Sequence, residues 1–489
     1  MEPRIKNTES LVSHGNVRGR KAMLEILETG LQAADPYNNT RKLIRLEGDR
    51  LSVGGKEFEP EGDPHRGDAV YDLSQIEHIY VFGAGKGTQR VAKAIEDTLG
   101  ERITGGHIID KKGHPIILER IEVSLGGHPV PDEDCVKGCE RIIEMTESLT
   151  KNDLVFTCVS NGVSSALTMP VPGISLEDVK KTTYILQIEH GTPTTDLNTI
   201  RNHLDMMKGG RISRYIYPAQ AIHIIAREPG TYDELMYQNL WLHTLPDCTT
   251  FQLAVENLKK WDAWEEVPSS VREFLASADP KFETVKAEEF EKMPSRIFGV
   301  MPGYGQTAKL PSAMKKAKEL GFKPVILTDS LWGAEAHHAG TYLAAICRTI
   351  ERSGQPFRPP CALFTSGEVV VTVGNEQGIG GRNQEYALSA ALGIAGSKNI
   401  VIASVDTDGT DGPGTQFFTG PDGMPHCLAG GIVDGETVAE AREAGINIDE
   451  EMKKHNTSPV LGKLENGIVA TPNISLIDFT VALVTGHNR

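Results

Sequence analysis

Cysteine is scarce in this chain, with seven residues among 489. An odd number scattered over such a length does not form a disulfide framework. The nearest pair, Cys135 and Cys139, is spaced CxxxC with no second ligand pair beside it, which argues against a zinc site. Long apolar runs are also missing. No stretch of 18 or more apolar residues occurs, so no helix is expected to span a membrane. The first residues, MEPRIKNTESLVSHGNVRGRK, lack the apolar segment of a secretory signal, and a cytoplasmic location is expected. An excess of basic residues is absent as well: 50 Lys and Arg face 66 Asp and Glu, a formal net charge of −16. Nucleic acid and anionic membranes, which need a net basic face, are therefore not the expected partners. Short repeats and low-complexity segments are absent too.

What the chain does have is length and alternation. It is about three times the typical domain length, so two large domains are expected. Helical spacing of Met23, Leu24, Ile26, Leu27 and Leu31 predicts a helix over residues 21–34. From residue 72 onward, strands and helices alternate: IEHIYVFGAGKGTQRVAKAIEDTLG, then GGHIIDKK, CVKGCERIIEMTESLT, NDLVFTCVSNG and SLEDVKKTTYILQIEHG. The pattern pauses over 255–295, a Lys-, Glu- and Trp-rich stretch that reads as a boundary, and then restarts. We therefore expect two α/β domains with mostly parallel sheets, one over 20–260 and one over 295–485.

Five constellations could carry chemistry. GAGKGT, Gly83–Thr88, follows a strand and opens a helix, so its backbone can approach an anion and Lys86 adds a charge. It fits neither a Walker A loop nor a full GxGxxG, and it could equally be a tight connection. In VSNGVSSAL, Ser160, Asn161 and Ser164 could bind an anion or simply start a helix. On the predicted helix around NTIRNHLDMMKGGR, Asn198, Arg201 and Asp205 share one face, and Lys208 and Arg211 follow at its end. In GNEQGIGGRNQE, Gly378, Gly380 and Gly381 precede Arg382, Asn383 and Glu385; so many glycines suggest a close backbone approach, and arginine suits a bidentate grip on an anion. Finally, DTDGTDGPG supplies Asp406, Asp408 and Asp411 after an apolar strand, a possible Mg²⁺ site or a set of Asp-Gly turns.

Taken in order, these motifs resemble the glycerate 2-kinase family, whose C-terminal half carries the MOFRL domain name. The resemblance spans about residues 20–485 and rests on GAGKG at Lys86, GGHPVPDE at 126–133, NTIRNHLDMMKGGR at 198–211, PDCTTF at 246–251, SGE at 366–368, GGRNQE at 380–385 and TDGTDGP at 407–413. It implies ATP-dependent phosphorylation of the 2-hydroxyl of D-glycerate or a related hydroxy acid, in an active-site cleft between two α/β domains. By that pattern Lys86, Arg382, Asp408 and Glu228 would be catalytic, and Asp408 and Asp411 would hold Mg²⁺. Gly85, Ser160, Asn161, Ser164, Asn198, Arg201, Lys208, Arg227, Glu368, Gly381 and Asn383 would bind substrate or nucleotide. The implied partners are a small anionic metabolite and a nucleotide, with a homodimer left open.

The chain also departs from the family pattern on ligand-facing loops. Val163 stands for a glycine, and Ala226-Arg227-Glu228 replaces a segment whose Asp is an expected catalytic carboxylate. His243-Thr244-Leu245-Pro246 replaces Ser-Gly-Pro-Thr, residues 415–428 interrupt the Asp-Ala-Ala-Gly stretch of the pattern after TDGTDGP, and Ser475 and Ile477 replace asparagines. Two further readings stay open on that ground. One is a divergent paralogue with an altered substrate or non-kinase chemistry on a small carboxylic acid. The other is a hydroxypyruvate reductase.

Overall fold

The computed structural model describes residues 2–301, 309–413, 417–419, 423, 425–471 and 478–487. Two compact α/β units emerge, Pro36–Pro302 and a second built from Met1–Asp35 together with Gly303–Arg489.

In the unit Pro36–Pro302, apolar runs become six strands: β1 (Ile79–Ala84), β2 (Gly105–Lys111), β3 (Glu122–Gly126), β4 (Leu154–Val159), β5 (Gln220–Ile225) and β6 (Ser295–Gly299). All pairings are parallel, in the order β3-β2-β1-β4-β5-β6. Every residue of β4 is buried, as a strand covered on both faces requires. The chain runs outward from β1 to β3, then returns to β4 on the other side of β1. At such a reversal the crossovers leave in opposite directions, and the carboxyl ends of β1 and β4 border an open crevice. An antiparallel meander of Ile44–Glu47, Arg50–Val53 and Ala69–Asp72 precedes this sheet.

The stretch over 255–295 is not a boundary. Its helices Phe251–Lys260 and Ser269–Ser277 bury Phe251, Leu258 and Val271 against Leu197 and Ile200. Trp261 Nε1 also donates to Asp196 at 2.9 Å. Polar composition hid an amphipathic pair of helices, and the division between units falls near residue 302 instead.

The main sheet of the second unit has six strands among the described residues: β7 (Lys323–Glu335), β8 (Cys361–Val370), β9 (Ile400–Val405), β10 (Gly430–Asp434), β11 (Gly467–Ile468) and β12 (Asp478–Val484). Their order is β7-β8-β12-β9-β10-β11. Here the expectation of a mostly parallel sheet gives way: β7 and β8 pair in parallel, but β12 lies between β8 and β9 antiparallel to both, and β10 opposes β9. Alternation of strands and helices reports that strands exist, not which way a late strand is inserted. The helix Val17–Ala34, expected in the N-terminal domain, belongs to this unit. Its Arg20 donates to Asp434 of β10 at 2.6 Å with both side chains fully buried.

Candidate functional site

At the reversal in the unit Pro36–Pro302, the turns after β1 and β4 are stitched together. Lys86 N donates to Asn161 O at 2.8 Å, and Ser160 Oγ donates to Lys86 O at 2.6 Å. Gly85 has φ of +122°, and a Cβ there would sit 2.7 Å from Ser160 O, so only glycine fits. Gly85 and Ser160 thus shape the turns rather than present a ligand contact. A cavity of about 680 Å³ opens beside them, and its lining includes Asn161, Ser164, Asn198, Arg201, Arg227 and Trp241.

The helix Thr194–His203 brings Asn198 and Arg201 to this cavity, and Arg201 Nη2 donates to Asn198 Oδ1. Burial pushes Arg201 down to about 10, partly opposed by Asp205, so it stays cationic at neutral pH. Its Nε is buried with no partner among the described residues. Arg227, just after β5, lies with its guanidinium carbon 5.9 Å from the Trp241 ring centre.

Other expected residues lie elsewhere. Lys208 is 1% exposed and donates to Asp205 and Thr168, a buried pair that does not line the cavity. Asp205 also accepts the amides of Met169, Met207 and Lys208, so this is a structural knot at the end of the helix. Glu228 is exposed and outside the cavity lining, although Arg227 beside it is inside. Among the described residues the only carboxylate in the lining is Glu234, which closes a capping box with Thr231. Lys86 is half-buried with its stem near Gly162, off the lining itself. Val163 is buried in the core cluster with Phe82 and Val159 and also borders the cavity.

Sequence reasoning passed over one residue as a mere departure. His243 is buried, and its Nε2 lies 2.9 Å from Ser164 Oγ. Burial, with the charges of Lys208 and Arg201, holds its pKa well below the usual histidine range, so the ring is neutral. Its Nδ1 has no partner among the described residues. A buried lone pair left unpaired costs less than a buried N–H. We therefore assign the hydrogen to Nε2, which donates to Ser164 and leaves the serine hydroxyl free to donate into the cavity.

The second unit has its own cavity, also about 680 Å³, lined by Glu368, Gly381, Arg382, Glu385 and His455 among others. Arg382 is not an unengaged clamp. Its Nε donates to Asp478 and its Nη2 to Asp406, each at 2.8 Å, with Glu368 3.6 Å from Nη1. Burial would lower its pKa, but Asp406 and Asp478 more than offset this. Asp406, pushed well up by burial and next by Asp408, is the group that Arg382 steadies.

The glycines of the adjoining loop approach protein rather than ligand. A Cβ at Gly378 would meet the Lys454 carbonyl, at Gly380 the Thr457 hydroxyl, and at Gly381 the Asp411 carboxylate. Asp411 is likewise not a metal ligand. It accepts the amides of Asn383 and Gln384 at 3.1 and 2.9 Å and the Asn383 side chain at 3.2 Å, capping the helix Arg382–Ile394. Asn383 in turn spans Asp411, Asp478 and Ser404 and is wholly buried, a scaffold residue rather than a ligand contact. Asp408 remains half-buried, with Oδ1 accepting from Thr410. The one three-residue cluster of metal-type donors among the described residues is Glu77, His78 and Asp153, remote in sequence from this loop. Ser475, Ile477 and much of 415–428 lie outside the described residues.

The chain is similar to known proteins over most of its length. Residues 22–228 match a family described as a domain of unknown function, DUF4147, and residues 361–475 match the MOFRL family. The chain is 33% identical over 468 residues to a glycerate 2-kinase of Pyrococcus horikoshii, covering 95% of this chain and 97% of that one. It is 28% identical to a putative hydroxypyruvate reductase of Agrobacterium vitis over 83% of this chain and 99% of the other. The crystal structure of a glycerate kinase from Thermotoga maritima superposes with a TM-score of 0.70 at 28% identity, covering 95% of this chain and 99% of that one. With the motifs above in place on a shared fold, the chain belongs to the glycerate kinase family.

Proposed function

We propose that the protein transfers the γ-phosphoryl group of ATP to the 2-hydroxyl of D-glycerate or a closely related small hydroxy acid. A new bond forms from the substrate oxygen to phosphorus, the bond to ADP breaks, and the hydroxyl proton leaves to water. The observation that carries this reading is the cavity at the β1–β4 reversal, whose Arg201, Arg227 and Ser164 offer positive charge and a donor to a small carboxylate. Phosphoryl transfer needs little beyond positioning and charge, and Lys86 on its glycine turn before the helix Thr88–Leu99 suits a phosphate group. Mg²⁺ bound to a nucleotide needs only one or two protein carboxylates. Asp408 fits that requirement, whereas Asp411 does not, because its oxygens are committed to the helix amides. When bound, the ion would neutralise charge on the phosphates.

The reductase reading has a specific point against it. In a dinucleotide fold the acidic residue at the end of β2 holds a ribose. Here that residue, Asp110, is wholly buried and accepts from Gln89 at 2.8 Å, with His114 at 3.0 Å. Formation of ADP and a phosphorylated acid from ATP–Mg²⁺ and a panel of small hydroxy acids tests the kinase reading. Turnover of NADH or NADPH with hydroxypyruvate, and none of ATP with any acid, would overturn it.

A further inference from the structure

We infer that the cavity at the β1–β4 reversal takes a hydroxy acid carrying a second anionic group, a further carboxylate or a phosphate ester, in preference to glycerate. This rests on the kinase reading and names the substrate class of the same site.

Charge is the first ground. Arg201 and Arg227 line one cavity, and neither forms an ion pair among the described residues. The nearest carboxylate to Arg201 in charge terms, Asp205, already serves Lys208 and three backbone amides. Glu234 turns back to accept the Thr231 amide and forms no ion pair with either arginine among the described residues. A monoanion would compensate one guanidinium and leave the other uncompensated in a recess, whereas a dianion satisfies both.

Donor character is the second ground. Ser164 receives the His243 Nε2 hydrogen and so presents its own to the cavity, and the buried Nε of Arg201 has no partner. Arg227 adds further donors to the same lining. Such a lining rejects groups without an acceptor at the position where the second anion sits, since a buried donor would be left unpaired, and a charged acceptor makes the stronger bond.

Calorimetric titration of nucleotide-free protein with D-glycerate, tartronate and 3-phospho-D-glycerate tests the inference, alongside the same titrations of Arg227→Gln. Binding of tartronate or the phosphate ester at least about tenfold tighter than D-glycerate is expected. Whichever of the two binds tighter identifies the second group as carboxylate or phosphate. Arg227→Gln should collapse that ratio by about tenfold; Arg227→Lys, which keeps the charge, should retain part of it and serves if the glutamine variant fails to fold. Equal or tighter binding of D-glycerate, or an unchanged ratio in Arg227→Gln, overturns the proposal. ADP formation measured in parallel separates the two failures. Turnover of D-glycerate with no preference for dianions sinks this inference and spares the kinase reading, while dianion binding without any ADP does the reverse.

Discussion

Among single residues, Arg382 shows how a motif can serve the fold before it serves a ligand. It stands between Asp406 and Asp478, both nearly buried, while its own side chain is 23% exposed. Removing one partner of such a cluster leaves uncompensated charge in a poorly solvated place, typically costing about 3–5 kcal/mol. Arg382→Ala should therefore lower the urea midpoint sharply, and Arg382→Lys should recover part of the loss. A midpoint within error of wild type would return Arg382 to the role of a pure ligand clamp. Asp411 gives a matching test in pH. Burial raises its pKa to about 6, despite the helix amides it accepts, against an unfolded value of about 3.9. Between those values the folded state holds more protons than the unfolded one, so this group's contribution to stability falls as pH rises from about 4 to about 6. Asp406, also raised by burial and next by Asp408, adds in the same direction. Asp411→Asn should flatten part of that slope in unfolding curves taken between pH 4.5 and 7.5, and an unaltered slope would show that Asp411 does not titrate there.

At the scale of elements, the paired turns after β1 and β4 decide whether the cavity forms. Gly85→Ala forces a left-handed φ on a residue with a Cβ and drives it toward Ser160 O, for a cost of roughly 1–3 kcal/mol. Binding of small acids should weaken along with a drop in melting temperature; full affinity in a destabilised protein would mean that the turns do not set the cavity. These turns were legible in the sequence, because an apolar strand, glycines and an amphipathic helix follow one another in GAGKGT and in VSNGVSSAL. The helix face joining Asn198 to Arg201 was legible for the same reason, a fixed period. What was not legible came from residues distant in sequence. His243 reads as a lone substitution until β5 and the following helix carry it to Ser164, 79 positions away. Asp478 gives no local signal, yet it binds Arg382 across 96 positions. Lys208, expected among the ligand-binding residues, is instead buried against Asp205, because spacing along the chain says nothing of burial. The glycines Gly378, Gly380 and Gly381 are places of close approach, but the approaching groups are the segment 454–457 for the first two and Asp411 for the third, not a ligand.

Across the whole molecule, the helix Val17–Ala34 is sewn into the sheet of the second unit, packing near β9 and β12 and holding Asp434 through Arg20. Arg20→Ala leaves a fully buried carboxylate without its cation, and a loss of about 3–5 kcal/mol is expected. Trp332 is the one tryptophan of that unit, with Trp241, Trp261 and Trp264 in the other. Its fluorescence should therefore report earlier unfolding in urea for this variant; an unshifted Trp332 transition would mean that the helix is merely draped on the unit. The same stitch has a bearing on synthesis. The run Pro36–Pro302 is continuous and can collapse on its own as it leaves the ribosome, whereas the helix holding Arg20 waits for a partner 414 positions later. Strand β12, which occupies the middle of the second sheet, is made later still. Until it arrives, β8 and β9 lack their shared neighbour and expose unpaired edges. The nascent chain thus spends its longest interval with one half finished and the other open, and that open half is where chaperones would be needed.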